Sequence, residues 1–183
     1  RIRAEEETFR ITHPQPRHAV FSNFAVKSGS GLTYSVEIRD LAARDFDCAR
    51  ADFRINGLGT CKHVEAVLLK LQKKHRSAYR QAAKNPPPFV DIVPDPDAPR
   101  LRVARNLDQL PPALRGFYDS QGRQRADADL DDLIDRLQGS RSKKLRLSQP
   151  VAPWLEHLRR EQDRTASRRD YETGVIDGRH PER

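Results

Sequence analysis

Cysteine and methionine are both scarce in this sequence of 183 residues. It contains two cysteines, Cys48 and Cys61, and no methionine. Secreted disulfide scaffolds use more cysteines, so two of them favour a reducing compartment, and we expect a cytoplasmic protein. Because the sequence starts with Arg1 and has no methionine, we also expect it to be a piece of a longer chain.

The sequence also contains none of several patterns that mark membrane proteins and common enzymes. No apolar run approaches the roughly 20 residues that span a bilayer, and no signal peptide opens the chain. There is no GxxxxGK[ST] phosphate loop, and no Ser-His-Asp or Cys-His nucleophile is suggested. We therefore expect a binding module with no catalytic residues, no membrane partner and no small-molecule substrate.

Charge is abundant and mainly positive. Lys and Arg total 34 against 26 Asp and Glu, which gives a formal net charge of +8. That balance favours partners that carry phosphate, nucleic acid above all. The first candidates for DNA phosphate contacts lie on one predicted helix and are Lys70, Lys73, Lys74, Arg76 and Arg80. A second basic cluster, either a phosphate-binding surface or a solvated face, is Arg141, Lys143, Lys144 and Arg146.

Hydrophobic periodicity divides the chain into two units between charged ends. Residues 18–27 and 33–39 are predicted to be strands, 40–60 a loop and about 61–83 a helix. Asn85 and the three prolines after it form a stiff linker. The predicted parts are an N-terminal arm at 1–17, a first domain at 18–84, a small α+β unit at 85–169 and a disordered tail at 170–183.

The second unit is predicted to be a small mixture of helices and strands. It contains a hairpin, two short helices, a short strand and a last helix. The hairpin is expected at 89–93 with 100–105, the two short helices at 111–119 and 129–138, and the short strand at 144–148. The last helix is expected around Pro153, a residue that suits the first turn of a helix. The fold class that follows for the whole chain is α+β.

Two potential metal ligands lie at the predicted start of the first long helix. Cys61 and His63 are two residues apart there, with Thr60 as the expected N-cap. A thiolate and an imidazole so placed can turn toward one point, and the positive end of the helix dipole stabilises the thiolate. A structural zinc ion takes four ligands, and Cys48 in the preceding loop can supply a third.

The stretch from Cys48 to Val67 resembles a SWIM-type zinc finger. That family has a C-x-C pair, a spacer and a C-x-H pair at a helix start, after a hairpin. The run from Asn56 to His63 (Asn-Gly-Leu-Gly-Thr-Cys-Lys-His) is similar to the N-terminal part of bacterial Swi/Snf-type helicase-like ATPases. The resemblance implies a ββα zinc-finger unit with Cys48, Cys61 and His63 as ligands, ahead of an ATPase core that would lie C-terminal to this region.

Arg50 stands where that family has its second cysteine, and a guanidinium cannot bind a metal. Three possibilities remain open: another group or a water completes the site, zinc binds weakly through three ligands, or the metal is lost. In the last case Arg50 would pair with an aspartate, Asp47 or Asp52. The side chains considered for the fourth position are Asp47, Asp52, His13 and His18.

The favoured function is a SWIM-type binding module that positions or regulates a Swi/Snf-type ATPase on DNA. Two other functions remain open. One is a protein-interaction module that docks on the ATPase core without touching DNA. The other is a zinc-dependent hydrolase, because a catalytic zinc keeps three protein ligands and one position for water. No motif supplies the general base that such a hydrolase needs.

Overall fold

The computed structural model describes residues 7–14, 18–50, 53 and 59–176. The chain divides into two compact units, Arg1–Phe89 and Val90–Arg183, a few residues later than the predicted boundary at 84. Each unit combines helices with a sheet, so the fold class is α+β. Within the described part of the chain, no helix is long and apolar enough to cross a membrane.

A four-stranded antiparallel sheet forms much of the first unit. Its strands lie side by side in chain order, and they are β1 (Arg10–Thr12), β2 (Asn23–Lys27), β3 (Thr33–Asp40) and β4 (Asp45–Cys48). The predicted strand at 33–39 is confirmed as β3, whereas the one predicted at 18–27 begins only at Asn23, as β2. In the turn between them Gly31 has a φ of +85°, a conformation that favours glycine.

Strands β1 and β4 are corrections to the predicted arm and the predicted loop. Sequence reasoning misses β4 because two of its four residues are aspartates, which strands disfavour. Pairing with β3 nevertheless buries Phe46 and Cys48 in the apolar core. Strand β1 has only three residues, and it pairs with β2 while Ile11 packs against the same core.

Two helices follow the sheet where the sequence predicts one over 61–83. Helix α1 (Lys62–Lys74) ends at His75, whose backbone (φ −126°, ψ 42°) leaves the helical region, and α2 (Arg76–Lys84) begins after it. Helical hydrogen bonds continue on both sides, since the His75 N–H donates to Leu71 and the His75 carbonyl accepts from Tyr79. The break is therefore a kink, and residues of both helices pack on one core.

The face of the first sheet opposite the apolar core carries buried charged side chains, which the alternation of apolar and polar residues does not predict. Val36 and Ile38 are buried as expected, yet Glu37 between them is also fully buried. Arg39 pairs with the carboxylates of Glu37 and Asp45 at 3.2 Å and 2.6 Å. An ion-paired layer therefore covers this part of β3 on the face opposite the apolar core.

A mixed three-stranded sheet organises the second unit. Its central strand β5 (Val90–Pro94) pairs antiparallel with β6 (Leu101–Arg105) and parallel with β7 (Leu145–Leu147). The predicted hairpin and the predicted short strand are therefore confirmed. The helices of this unit are α3 (Pro112–Arg115), α4 (Leu130–Gly139) and α5 (Val151–Ile176).

The last helix is longer than the sequence predicts. It begins at Val151, so Pro153 lies in its first turn as expected. The sequence predicts a disordered tail from residue 170, but α5 continues to Ile176. The last seven residues, 177–183, lie outside the described part of the chain.

Arg146 is a correction to the second predicted basic cluster. Its side chain is 6% exposed, and its Nη2 donates to Oδ2 of the fully buried Asp91 at 2.8 Å. Arg105, across the sheet on β6, lies 3.1 Å from the same carboxylate. Arg146 therefore stabilises the interior of the second unit, whereas Lys143 and Lys144 are exposed as predicted.

Candidate metal centre

The three side chains that the sequence predicts as metal ligands come together at the start of α1. The Sγ atoms of Cys48 and Cys61 and a ring nitrogen of His63 all lie within 4.8 Å of one another. Sγ of Cys48 lies 3.8 Å from Nδ1 of His63. Among the described residues, no further histidine, cysteine or carboxylate joins this group.

Two neighbouring elements position these donors. Cys48 ends β4 and is paired with Val36 of β3, which places its thiol in the core. Cys61 is the N-cap residue of α1, with an extended backbone (φ −151°, ψ 171°). Thr60 is therefore not the N-cap that the sequence predicts, and its hydroxyl donates to the Glu65 carboxylate at 2.8 Å instead.

Cys61 is the thiol that loses its proton more easily. The hydrogen bond from the Cys48 thiol, helped by the backbone N–H groups of Val64 and His63, lowers the pKa of Cys61 to about 6. The same hydrogen bond, together with burial, raises the pKa of Cys48. Burial lowers the pKa of His63, which keeps the imidazole neutral. A thiolate and a neutral imidazole are the forms that bind metal ions.

The distances between the donor atoms are close to those of a tetrahedral zinc site. Zinc lies about 2.3 Å from sulfur and about 2.0–2.1 Å from nitrogen, so donors of a tetrahedral site are about 3.5–3.8 Å apart. The distance of 3.8 Å between Cys48 and His63 meets this value. A pair at the 4.8 Å limit of the group would need to close by about 1 Å. The residues therefore fit three of the four positions around zinc.

Asp47 does not supply the fourth ligand. It is next to Cys48 on β4, and successive side chains of a strand point to opposite faces of a sheet. Its partner across the sheet is Glu37, in the ion-paired layer. Asp52, another predicted candidate, lies outside the described residues, as do positions 56–58 of the glycine-containing run.

The two histidines considered for the fourth position have other partners. His13 stacks on the ring of Phe24 at 4.5 Å, and its pKa is lowered by burial, then by the charges of His75 and Lys70. Lys70 lies seven residues beyond His63 on α1, about 10 Å along the helix. Nδ1 of His18 accepts hydrogen bonds from two backbone N–H groups at 3.1 Å each. Neither histidine belongs to the donor group.

Arg50 lies beside the donor group, at the position where the SWIM pattern has a cysteine. Its backbone N–H donates to the sulfur of Cys48, and its charge contributes to the lowered pKa values of Cys61 and His63. Positive charge stabilises a thiolate but repels a bound dication. Arg50 therefore assists deprotonation of Cys61 while weakening the attraction of the centre for zinc.

Two aromatic side chains of the centre are missed by the sequence analysis. Tyr34 stacks on the ring of His63 with centroids 4.4 Å apart, and Phe9 meets the same ring edge-on at 5.6 Å. They restrict the plane of the imidazole and contribute to its burial. The inward position of Tyr34 in the alternation of β3 is a usable signal, but Phe9 lies in a charged stretch that gives none.

The five basic residues predicted as DNA contacts lie along α1 and α2. Lys70 differs from the others, because it is half-buried and its ammonium donates to the backbone carbonyl of Ile11. That contact ties β1 to α1. The remaining four are exposed around the kink and are Lys73, Lys74, Arg76 and Arg80.

Comparisons with known proteins identify no relative of this chain. No protein-family model, no curated protein sequence and no solved structure matches the chain.

Proposed function

We propose that the first unit is a zinc-binding module of the SWIM type, with Cys48, Cys61 and His63 as three of the zinc ligands. The observation that carries this proposal is the convergence of two sulfurs and one imidazole nitrogen within 4.8 Å. The β2–β3 hairpin precedes α1 in the chain, with β4 between them, and this order supports the ββα unit that the SWIM resemblance implies. The zinc would hold the end of β4 to the start of α1.

Binding is favoured over catalysis at this centre. A zinc hydrolase needs a general base within hydrogen-bond reach of the metal-bound water. Within the described residues, the donor group includes no carboxylate, and its only imidazole is itself a proposed ligand. Zinc in this module would therefore serve structure and recognition.

The proposed partner of the module is DNA, contacted through its phosphates. Four exposed basic side chains at the junction of α1 and α2 support this part of the proposal, and they are Lys73, Lys74, Arg76 and Arg80. Such contacts supply affinity with little dependence on base sequence. By resemblance, a helicase-like ATPase core would be the partner that the module positions or regulates on DNA.

Replacing those four basic residues by glutamine should weaken DNA binding at least about tenfold at low salt. The slope of log affinity against log salt concentration should fall by up to about 3.6, because each neutralised phosphate contributes about 0.9. Fluorescence anisotropy with a short duplex at several salt concentrations measures both quantities.

The control for that experiment removes equal charge from α5, at the exposed residues Arg159, Arg160, Arg164 and Arg169. It should retain most of the affinity. Equal losses in both variants would contradict the assignment to α1 and α2. A wild-type chain with no measurable affinity at low salt would rule out the DNA function altogether.

Arg50→Cys should raise the affinity for zinc by about a hundredfold or more, because it adds a third thiolate as the fourth ligand and removes a repelling charge. Competition with a chromophoric chelator measures the change. Ala49→Cys is the matched control, since it adds a thiol one residue earlier at an exposed position and should change the affinity little. If wild type and Arg50→Cys bind zinc equally tightly, a fourth ligand is already present.

A further inference from the structure

A cavity of about 340 Å³ adjoins the metal centre. The ring of His63 forms part of its wall, and the cationic side chains of Arg50 and Lys62 form another part. The rest of the lining is largely small or polar and consists of Glu7, Thr8, Ser28, Gly29, Ser30 and Tyr34. The volume lies within the usual range of about 300–1,000 Å³ for small-ligand sites.

The two ring nitrogens of His63 have different surroundings. Nδ1 faces the sulfur of Cys48, so Nε2 lies on the side of the ring turned away from that thiol. The side chain is 1% exposed, and Nε2 has no hydrogen-bond partner among the described residues. Leaving a buried polar atom unpaired is unfavourable. A metal at Nδ1 also keeps the ring proton on Nε2, which makes Nε2 a hydrogen-bond donor.

Positive charge surrounds this donor, and one carboxylate is already held there. The Lys62 ammonium donates to both oxygens of Glu7 at 2.8 Å and 2.7 Å. The charges of Lys62 and Arg50 both act on the imidazole of His63. The cavity wall therefore already accommodates one oxyanion on Lys62, supplied by the chain itself.

We propose that this cavity binds a phosphate group, with Nε2–H of His63, the guanidinium of Arg50 and the ammonium of Lys62 donating to its oxygens. The Glu7 carboxylate pairs with the Lys62 ammonium when phosphate is absent, and phosphate displaces it on binding. A phosphate offers several acceptor oxygens and up to two negative charges, which suits three donor side chains that line one cavity, and a guanidinium can engage two of those oxygens. Arg50 then has a function of its own at a position where a finger would have a cysteine.

This inference goes beyond zinc and DNA binding by the module, and it rests on the proposed zinc site only for the proton that a metal at Nδ1 keeps on Nε2 of His63. Isothermal titration calorimetry of the full chain with inorganic phosphate, in a low-salt chloride buffer, should show one saturable site. Arg50→Gln and Lys62→Gln should each weaken binding about tenfold or more. Glu7→Gln should strengthen it several-fold, because an internal competitor is removed, and a purely structural role of Glu7 predicts no such gain.

Lys84→Gln is the control, since it removes one exposed lysine of the same unit outside the cavity, and it should leave phosphate affinity unchanged. Phosphate that also displaces a bound duplex would identify the nucleic-acid backbone as the source of the group. Phosphate bound without displacement would identify a small phosphate-bearing ligand. The proposal is overturned if phosphate does not bind, if acetate binds as tightly, or if Glu7→Gln weakens binding.

Discussion

Zinc is expected to raise the melting temperature of the first unit by about 15–30 °C, and Cys61→Ser is expected to abolish that response. A ligand at a thousand times its dissociation constant stabilises the folded state by about 4 kcal/mol. In a unit the size of Arg1–Phe89, each kcal/mol shifts the melting temperature by about 4–8 °C. Circular dichroism melts with zinc and with a chelator, together with metal analysis, measure the effect.

Cys61 is the most informative ligand to remove. Its thiol has the lowered pKa, near 6, and serine has almost the same shape but no comparable tendency to ionise. Thr60→Ala is the matched control, because it breaks the neighbouring hydrogen bond to Glu65 and leaves all three donors in place. It should keep the full zinc response. A wild-type chain whose melting temperature ignores zinc would exclude the proposed metal centre.

The metal centre could be predicted to the extent that it is local in sequence. Cys61 and His63 are two residues apart at the start of a helix, so their proximity depends only on α1. Their approach to Cys48 depends on β4, which forms by pairing with β3 and is not indicated by the propensities of its own residues. The kink at His75 is also invisible in the sequence, because the apolar spacing continues across it.

Buried charge is the part of the fold that the alternation of apolar and polar residues cannot reveal. Glu37 and Arg146 both stand where the sequence favours exposure, yet each is buried against a partner of opposite charge. Those partners, Arg39 for the first and Asp91 for the second, make the burial possible. Burial of a charged side chain depends on such pairing, which in the case of Arg146 joins residues far apart in sequence.

Arg50 connects the two functional hypotheses of the first unit. In the proposed zinc site it would weaken metal binding, because it replaces a ligand, and in the cavity wall it would contact the proposed phosphate. The two experiments on this residue therefore have opposite expected signs. Arg50→Cys should gain zinc affinity, and Arg50→Gln should lose phosphate affinity, so a general disturbance of the loop cannot produce both results.

Asp91→Ala should destabilise the second unit by about 3–5 kcal/mol, the cost of breaking a buried ion pair by removing one partner. Asp91 is fully buried on the central strand, between Arg146 on one neighbouring strand and Arg105 on the other. Without its carboxylate, two guanidinium groups would face each other with no negative charge between them. Urea unfolding followed by the fluorescence of Trp154, the single tryptophan, reports on this unit because Trp154 packs against its core.

Two further variants separate the ion pair from a general loss of stability. Glu161→Ala removes one carboxylate from an exposed pair with Arg164 on α5 and should shift the urea midpoint little. The double variant Asp91→Leu with Arg146→Met replaces the buried pair by apolar groups and should recover most of the loss, because Arg105 is partly exposed and can turn its charge toward water. A midpoint for Asp91→Ala that equals the Glu161→Ala midpoint would show that the buried pair contributes nothing to the fold. If the double variant is less stable than Asp91→Ala, the second unit needs the charges of the Asp91–Arg146 pair as well as its packing.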